Sequence, residues 1–416
     1  MKVLVLTPYL PHRRVGHGGG TAVRDLVTWL ARRHEVMVVA LVRPGEEDLL
    51  DEVRALGVAV RGLPFLDATA RGLARVRLAG RRIASLTRSL SSGYPLYVEK
   101  YSPRLLGASL AAAVAEFEPD AIQVEYLQLA LLVREMRRRR DADGRAAPRL
   151  ILNSHELGSV PRERRAARAT DPVTRALARD EAARWRRLQV DASNWADATL
   201  CVTPEDRALY EAMGGQRLLT VPLGMDLEAI RVDWAPGSRD GRETHLFVGS
   251  FGHRPNVLAA DFLLDEVWMR VRAARPDAVL VLAGRGSDRY LATRGPVAGV
   301  EALGYVDDLT PHFRTARLFL APLPEGGGIK IKVLEAMARG VPVVTTPVGA
   351  EGIATAADDV LTITGCDRSF AAAVLADAAD TAACRRRAER ARRHMEENFS
   401  WESITARLTE IYAAGS

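Results

Sequence analysis

Three cysteines stand in 416 residues, Cys201, Cys366 and Cys384, far apart and odd in number. That argues against a disulfide framework, and no two of them have the spacing of metal ligands. A reducing, cytoplasmic compartment is the expected home. No apolar run approaches the roughly 20 residues of a membrane-spanning helix. The first residues, MKVLVLTPYLP, hold too short an apolar run for a secretory signal and then meet a proline, so they predict a buried first strand. The arginine-rich stretches carry no interleaved aromatics and no recognition motif, which argues against nucleic acid as a partner. Internal repeats and low-complexity tails are also missing from the sequence.

What is present is the balance of a soluble globular protein, 48% hydrophobic and 26% charged. The length implies two domains of roughly 150 to 200 residues each. Net charge is +6, and the basic residues cluster in the first half. The segment ARGLARVRLAGRRIASLTRSL (70 to 90) is amphipathic and basic. Solvated helix faces are the ordinary account of such a run. A surface that meets anionic lipid, or an acidic acceptor, is the sharper one.

Short apolar or β-branched runs alternate with helical patterns along the whole chain. KVLVLTPY, EVMVVALV, VAVRGLP, AIQVEY, LILNSHE and TLCVTP fill the first half. LLTVPLG, HLFVGS, AVLVLAG, VEALGYV, LFLAPL, PVVTTPV and VLTIT fill the second. Continuous apolar strands between helices mean parallel sheets covered on both faces. These strands are too many for one doubly wound sheet. The expected fold is therefore α/β, with two Rossmann-like doubly wound domains at 1–230 and 243–399. The polar stretch between them reads as the boundary, and FSWESITARLTEIYAA (399 to 414), most of it within the terminal segment 400–416, reads as a separate amphipathic helix. In open parallel sheets ligands bind at the carboxyl ends of strands, and the cleft between two such domains is the default site.

One strand end is unusual: PLPEGGGIKIKVLEAMARG (322 to 340). Gly326, Gly327 and Gly328 allow a sharp turn and close approach of backbone amides to a ligand. A helix from about Val333 to Arg339 offers unpaired N–H groups at its start. Together these make an anion site suited to a diphosphate, with Lys330 and Lys332 beside it. Lys330, nearer the glycines, is the better candidate to counter phosphate charge. Gly18, Gly19 and Gly20 follow the first strand, and GGGT opens a second helix with the same character.

The run 326 to 353 resembles the donor-binding region of retaining glycosyltransferases with the GT-B fold, in the group 1, family 4 class. GHGGGTAV, NSHE, VPLGMD, FVGSFGHRPNV, GYVDDLTPHF and the terminal helix follow the family's order over nearly the whole chain. The resemblance implies two domains facing a central cleft, with the C-terminal helix crossing back to the first. It implies transfer of a sugar from a nucleoside-diphosphate donor, UDP- or GDP-linked, with retention of anomeric configuration. No cofactor or essential metal is implied.

The resemblance assigns Glu335 to the ribose hydroxyls, His155 to the donor sugar near its reacting carbon, and Tyr305 and Val306 to the nucleotide base. Asp307 and Asp308 read as helix-capping residues rather than a metal motif, and Asn256 as an N-cap. Gly284 and Gly286 predict a turn near the base, while Gly349 and Glu351 stand on the nucleotide side. Two departures stand out. Gly327 occupies the place of the family's first glutamate, with Glu325 two positions too early, so backbone amides at Gly328 and Ile329 are left to hold the sugar. Ser250 occupies an arginine position, and Arg254 is the firm cation of that loop. The expected catalytic group is His155, Lys330 and Glu335. Amides and a lysine suit a reaction whose negative charge builds on the departing diphosphate. A sugar-nucleotide epimerase and a non-catalytic sugar-nucleotide-binding subunit are the rival readings. The acceptor is a glycan, a lipid-linked intermediate or a small molecule, and peripheral contact with an anionic membrane is expected of residues 70 to 90.

Overall fold

The computed structural model describes residues 1–12, 18–65, 73–101, 103–143, 148–236, 242–326 and 328–414. The chain forms two compact units, Met1–Gly224 with Ile404–Ser416, and Met225–Ser403. Among the described residues, thirteen strands account for all thirteen apolar runs.

The first unit holds β1 (Lys2–Thr7), β2 (Glu35–Val42), β3 (Ala59–Pro64), β4 (Ala121–Glu125), β5 (Arg149–Asn153), β6 (Ala198–Cys201) and β7 (Leu218–Thr220). They form one sheet in the order β3-β2-β1-β4-β5-β6-β7, and every pairing is parallel. β1 and β2 are buried along almost their whole length because helices cover both faces. The terminal helix Trp401–Ala413 contributes Tyr412, which is fully buried and donates its hydroxyl to Gln123 in the middle of β4.

The second unit holds β8 (Thr244–Val248), β9 (Val279–Ala283), β10 (Val300–Gly304), β11 (Leu318–Ala321), β12 (Val343–Thr345) and β13 (Thr362–Ile363), in the order β10-β9-β8-β11-β12-β13. All of these pairings are parallel too. Its core runs from Leu246 and Phe247 on β8 through Phe319 on β11 to the helix Ile331–Ala338, which buries Val333, Leu334, Ala336, Met337 and Ala338.

Of the stretch 230 to 243, read from composition as the boundary, residues 237 to 241 lie outside the described residues, and Trp234 is anchored in the second unit. Trp234 is buried there, and its indole N–H donates to the Ala316 carbonyl at 2.8 Å. The division falls at Gly224–Met225, where the Met225 amide donates to Phe399 O at 2.7 Å. One aromatic in a polar run outweighs the run's average polarity, because burying an indole is worth several ordinary contacts.

In each sheet the strand order reverses once, between β1 and β4 and between β8 and β11. At such a switch point the loops leaving adjacent strands diverge and open a crevice at the carboxyl edge.

Candidate functional site

In the second unit the loops after β8 and β11 meet over that switch point. β8 runs out into Gly249–His253, and the helix Arg254–Phe262 follows. Asn256 lies inside that helix rather than at its cap, which is His253. Its buried amide performs another task. Nδ2 donates to the Ser250 carbonyl at 2.8 Å, and Oδ1 accepts from Lys332 Nζ at 2.5 Å. The Lys332 ammonium also stands 4.9 Å from the Phe247 ring centroid. Burial, and then the nearby Lys330 charge, hold its pKa down at about 8.

Lys330 is the cap of the helix Ile331–Ala338, with extended backbone and no side-chain cap bond. Its Nζ donates to the Gly328 carbonyl at 2.5 Å and lies 3.4 Å from Glu351 Oε2. The side chain thus folds back over the glycine turn. Gly328 has φ +67°, with no atom within 4 Å of where a Cβ would stand, and Gly326 has φ +144°. Ile329 is half-buried against the unit's core. Gly327 lies outside the described residues. Both lysines therefore stand at the glycine turn, held by different partners. Sequence reasoning favoured Lys330, and the desolvation of Lys332 was not visible from spacing.

Arg254 is 71% exposed and reaches only Glu325, at 3.8 Å. Glu335 accepts from Arg339 Nη2 at 3.1 Å through Oε1, and Arg339 Nη1 in turn donates to Thr310 Oγ1 at 3.0 Å. The carboxylate is thus oriented along its own helix. Asp308 accepts from the Thr310 amide at 2.9 Å, as a turn residue before the helix Thr310–Thr315. Among the described residues no group of three His, Cys, Asp or Glu could hold a metal.

Gly284 follows β9 at φ +123°, and a Cβ there would stand 2.2 Å from the Gly249 carbonyl oxygen. This close approach lets the ends of β8 and β9 lie side by side. Beyond it opens a cavity of about 680 Å³ lined by Ser250, Phe251, Arg285, Gly286, Arg289 and Tyr290. Tyr305 is exposed, Val306 half-buried, and the Arg285 guanidinium lies 5.9 Å from the Tyr305 ring centroid.

In the first unit, Gly18, Gly19 and Gly20 form the opening turn of the helix Gly18–Leu30, as the GGGT pattern leads one to expect. The residues preceding them, 13 to 17, lie outside the described residues. His155 follows β5 at φ +56° and Tyr126 follows β4 at φ +72°, both in the sparsely allowed left half of backbone space. Their rings stack at 3.8 Å with a 9° interplanar angle. Tyr126 also meets Tyr9, just after β1, edge-on at 5.6 Å.

The His155 Nε2 meets Glu125 Oε2, a carboxylate with no exposed side-chain surface. Asn153 Nδ2 donates to the same oxygen at 3.1 Å, and Gln123 Nε2 donates to Oε1 at 2.6 Å. Glu125 therefore accepts from three side chains and fixes the imidazole with its proton on Nε2, leaving Nδ1 for another partner. Tyr9, Tyr126 and Glu125 escaped sequence reasoning. The signal was there, since Gln123 and Glu125 are polar residues in a strand whose burial is otherwise apolar.

Residues 17–224, half of the chain, match the family described as "Glycosyl transferase 4-like domain". Residues 242–380 match "Glycosyl transferases group 1". A GDP-mannose-dependent monoacylated alpha-(1-6)-phosphatidylinositol monomannoside mannosyltransferase of Corynebacterium glutamicum is 35% identical over 164 residues, 36% of this chain and 42% of that protein. A lipopolysaccharide core biosynthesis mannosyltransferase of Rhizobium meliloti is 32% identical over 135 residues, 27% of this chain and 38% of that protein. These matches span about two fifths of each relative's length. Among solved structures, the Anabaena HepE protein in complex with UDP superposes over all of both chains with a TM-score of 0.64 at 15% identity, a likeness of fold.

Proposed function

The chain belongs to the group 1, family 4 glycosyltransferases, and from that premise we propose that it moves a sugar from a nucleoside-diphosphate donor to an acceptor hydroxyl with retention of configuration. The observation that carries this is the turn Gly326–Lys332 at the β8–β11 switch point. Two lysines and the start of an eight-residue helix converge there beside a glycine with open space in front of it.

In the proposed reaction the anomeric carbon's bond to the diphosphate oxygen breaks and a bond to the acceptor oxygen forms. The acceptor's proton passes to the leaving phosphate on the same face of the sugar, so no protein base is needed. Negative charge grows on the diphosphate, and preorganised donors placed where it grows lower the barrier. Lys330 and Lys332, with the amides of Gly328 and Ile329, fill that role. A bound diphosphate would replace the Gly328 carbonyl and Glu351 as partners of Lys330. Glu335 receives the ribose hydroxyls, held ready by Arg339. The base lies near Tyr305 and Val306, with Arg285 able to stack on its face. His155 positions the donor sugar through Nδ1, and the buried Glu125 sets its orientation. Gly18 to Gly20 approach the donor through the opening amides of their helix. The donor is UDP- or GDP-linked, and the mechanism uses no metal.

Membrane contact is favoured by one observation. On the helix Leu73–Ser92, Val76, Ile83 and Leu90 are 70%, 65% and 68% exposed at seven-residue spacing, with arginines between them. Such a stripe lies readily in a lipid interface of anionic charge. No helix among the described residues is long and apolar enough to cross a membrane. We place the protein on the cytoplasmic side, with a glycan, a lipid-linked sugar or a small molecule as acceptor.

Release of nucleoside diphosphate from a panel of UDP- and GDP-sugars, followed with a broad acceptor set, tests the reading. Turnover of one donor supports it. Tight nucleotide binding with no donor consumed would favour a non-catalytic subunit.

A further inference from the structure

The chain contains fifty-four arginines and only four lysines. Two of those lysines stand at the glycine turn. A third, Lys100, occupies a place the proposed chemistry does not use. It caps the short helix Leu96–Glu99 in the first unit. Its ammonium lies 3.8 Å from the Tyr97 ring centroid and 4.8 Å from that of Tyr101. Among the described residues no carboxylate forms an ion pair with it and no acceptor takes a hydrogen bond from it. Burial, and then the nearby Arg43 charge, hold the Lys100 pKa down at about 8.

Arg43 follows β2 and lies 5.4 Å from the ring centroid of Tyr9, which follows β1. The Tyr97 ring meets that of Tyr101 edge-on, with centroids 5.9 Å apart. Tyr9 contacts Tyr126, and Tyr126 stacks on His155. Lys100, with Tyr97 and Tyr101, is thus coupled through Arg43 to the rings of Tyr9, Tyr126 and His155 along the carboxyl edge of the first sheet. The last of these is the histidine proposed to position the donor sugar. Tyr97, 40% exposed, can present a flat face and a hydroxyl to a sugar, while Tyr101 is buried behind it and stacked on Phe65. A half-buried cation without a counter-ion is costly, and an arriving anion removes that cost.

We propose that Lys100, with Arg43 and the tyrosines 97 and 101, forms an acceptor subsite that recognises an anionic group, a phosphoryl or a carboxylate, carried by the acceptor sugar. Arginine would offer a fork for paired oxygens, whereas the compact ammonium between two rings suits a single anionic oxygen seated against an aromatic wall. The proposal rests on the transferase reading only for the word acceptor; the anion site itself does not depend on it.

The small number of lysines makes the test direct. Reductive methylation with 13C-formaldehyde gives one dimethyl-lysine signal for each of Lys2, Lys100, Lys330 and Lys332, assigned with single Lys→Arg variants. Glucose 6-phosphate, glucuronate and inorganic phosphate are titrated, with glucose as the uncharged control. The expected result is a saturable shift of the Lys100 signal with the charged sugars and none with glucose. In Lys100→Met the affinity for the charged sugar, measured by calorimetry, falls at least tenfold. A response to glucose 6-phosphate alone assigns a phosphoryl acceptor, and one to glucuronate alone a carboxylate. A Lys100 signal that no anion moves overturns the proposal. A parallel titration with UDP reads Lys330 and Lys332, so failure of the donor site is seen separately from failure of this subsite.

Discussion

The Lys332 ammonium lies 2.5 Å from Oδ1 of Asn256, across the two loops that diverge over the β8–β11 switch point. Asn256 also holds the Ser250 carbonyl, so one amide ties a loop at the position where the family carries an arginine to a lysine of the glycine turn. Ser250 in place of that arginine removes a cation. Lys332, drawn beneath the loop, puts one back from the neighbouring strand end.

Replacing Asn256 with Leu leaves Lys332 and the Ser250 carbonyl without this partner in a partly buried place. Removing one partner of a buried hydrogen bond costs about 1–3 kcal/mol. Asn256→Leu is expected to lower the midpoint of chemical denaturation accordingly and to weaken nucleotide binding about tenfold. Unchanged binding in a folded Asn256→Leu protein would separate this amide from the donor site.

Proton linkage follows from Lys332. Its pKa in the free protein is about 8, below the ordinary 10.5. A diphosphate beside it favours the charged form and raises that value, so binding near pH 8.5 takes up protons and binding near pH 6.5 takes up few. Calorimetry of UDP or GDP binding in buffers of different ionisation enthalpy reads the uptake. Lys332→Met should abolish most of it. In the free protein the sign is opposite to that of a stabilising ion pair. Between about pH 8 and the unfolded value the unfolded chain holds a proton that the folded one has released, so this group's contribution to stability rises with pH over that window.

His155 and Tyr126 both hold positive φ values. His155→Gly relieves the φ +56° strain but removes the ring that donates to the buried Glu125, so it should be less stable than the parent and more stable than His155→Val. Its turnover should drop by a factor of about 100 or more if the imidazole positions the sugar. His155→Val, β-branched in the same conformation, should lose about 1–3 kcal/mol of stability. Comparing denaturation midpoints with turnover in the two variants separates backbone strain from chemistry.

Gly284→Ala places a methyl group 2.2 Å from the Gly249 carbonyl oxygen at φ +123°. Backbone must move to admit it. A loss of about 3 kcal/mol or more is expected from strain and displacement together. Gly295→Ala is the control, since its Cβ meets nothing within 4 Å at φ +92°, so it carries the strain without the clash.

Much of this fold was legible because buried parallel strands are continuous apolar runs, and thirteen such runs leave little freedom. Trp234 was harder: a single buried indole inside a polar stretch shifts a domain boundary that average composition had put further along. The glycine turn was legible as well, since Gly328 needs its positive φ. The pairings within it were not. Asn256 looked like a cap because caps are local, whereas its partner Lys332 is 76 residues away. Lys100 gave no signal at all in the sequence, since its meaning comes from the two rings and the cation that surround it. The Glu125–His155 contact needed β4 and β5 to be neighbours, which only the strand order supplies.

The most direct test of the central claim is nucleotide binding at the glycine turn, read as the thermal shift with UDP, GDP, ADP and dTDP in turn. A nucleotide at 100 times its dissociation constant adds about 2.7 kcal/mol of stability. The prediction is a shift with UDP or GDP that is lost in Lys330→Ala and in Glu335→Ala. A protein that no nucleotide stabilises, or one whose shift survives both substitutions, would contradict it.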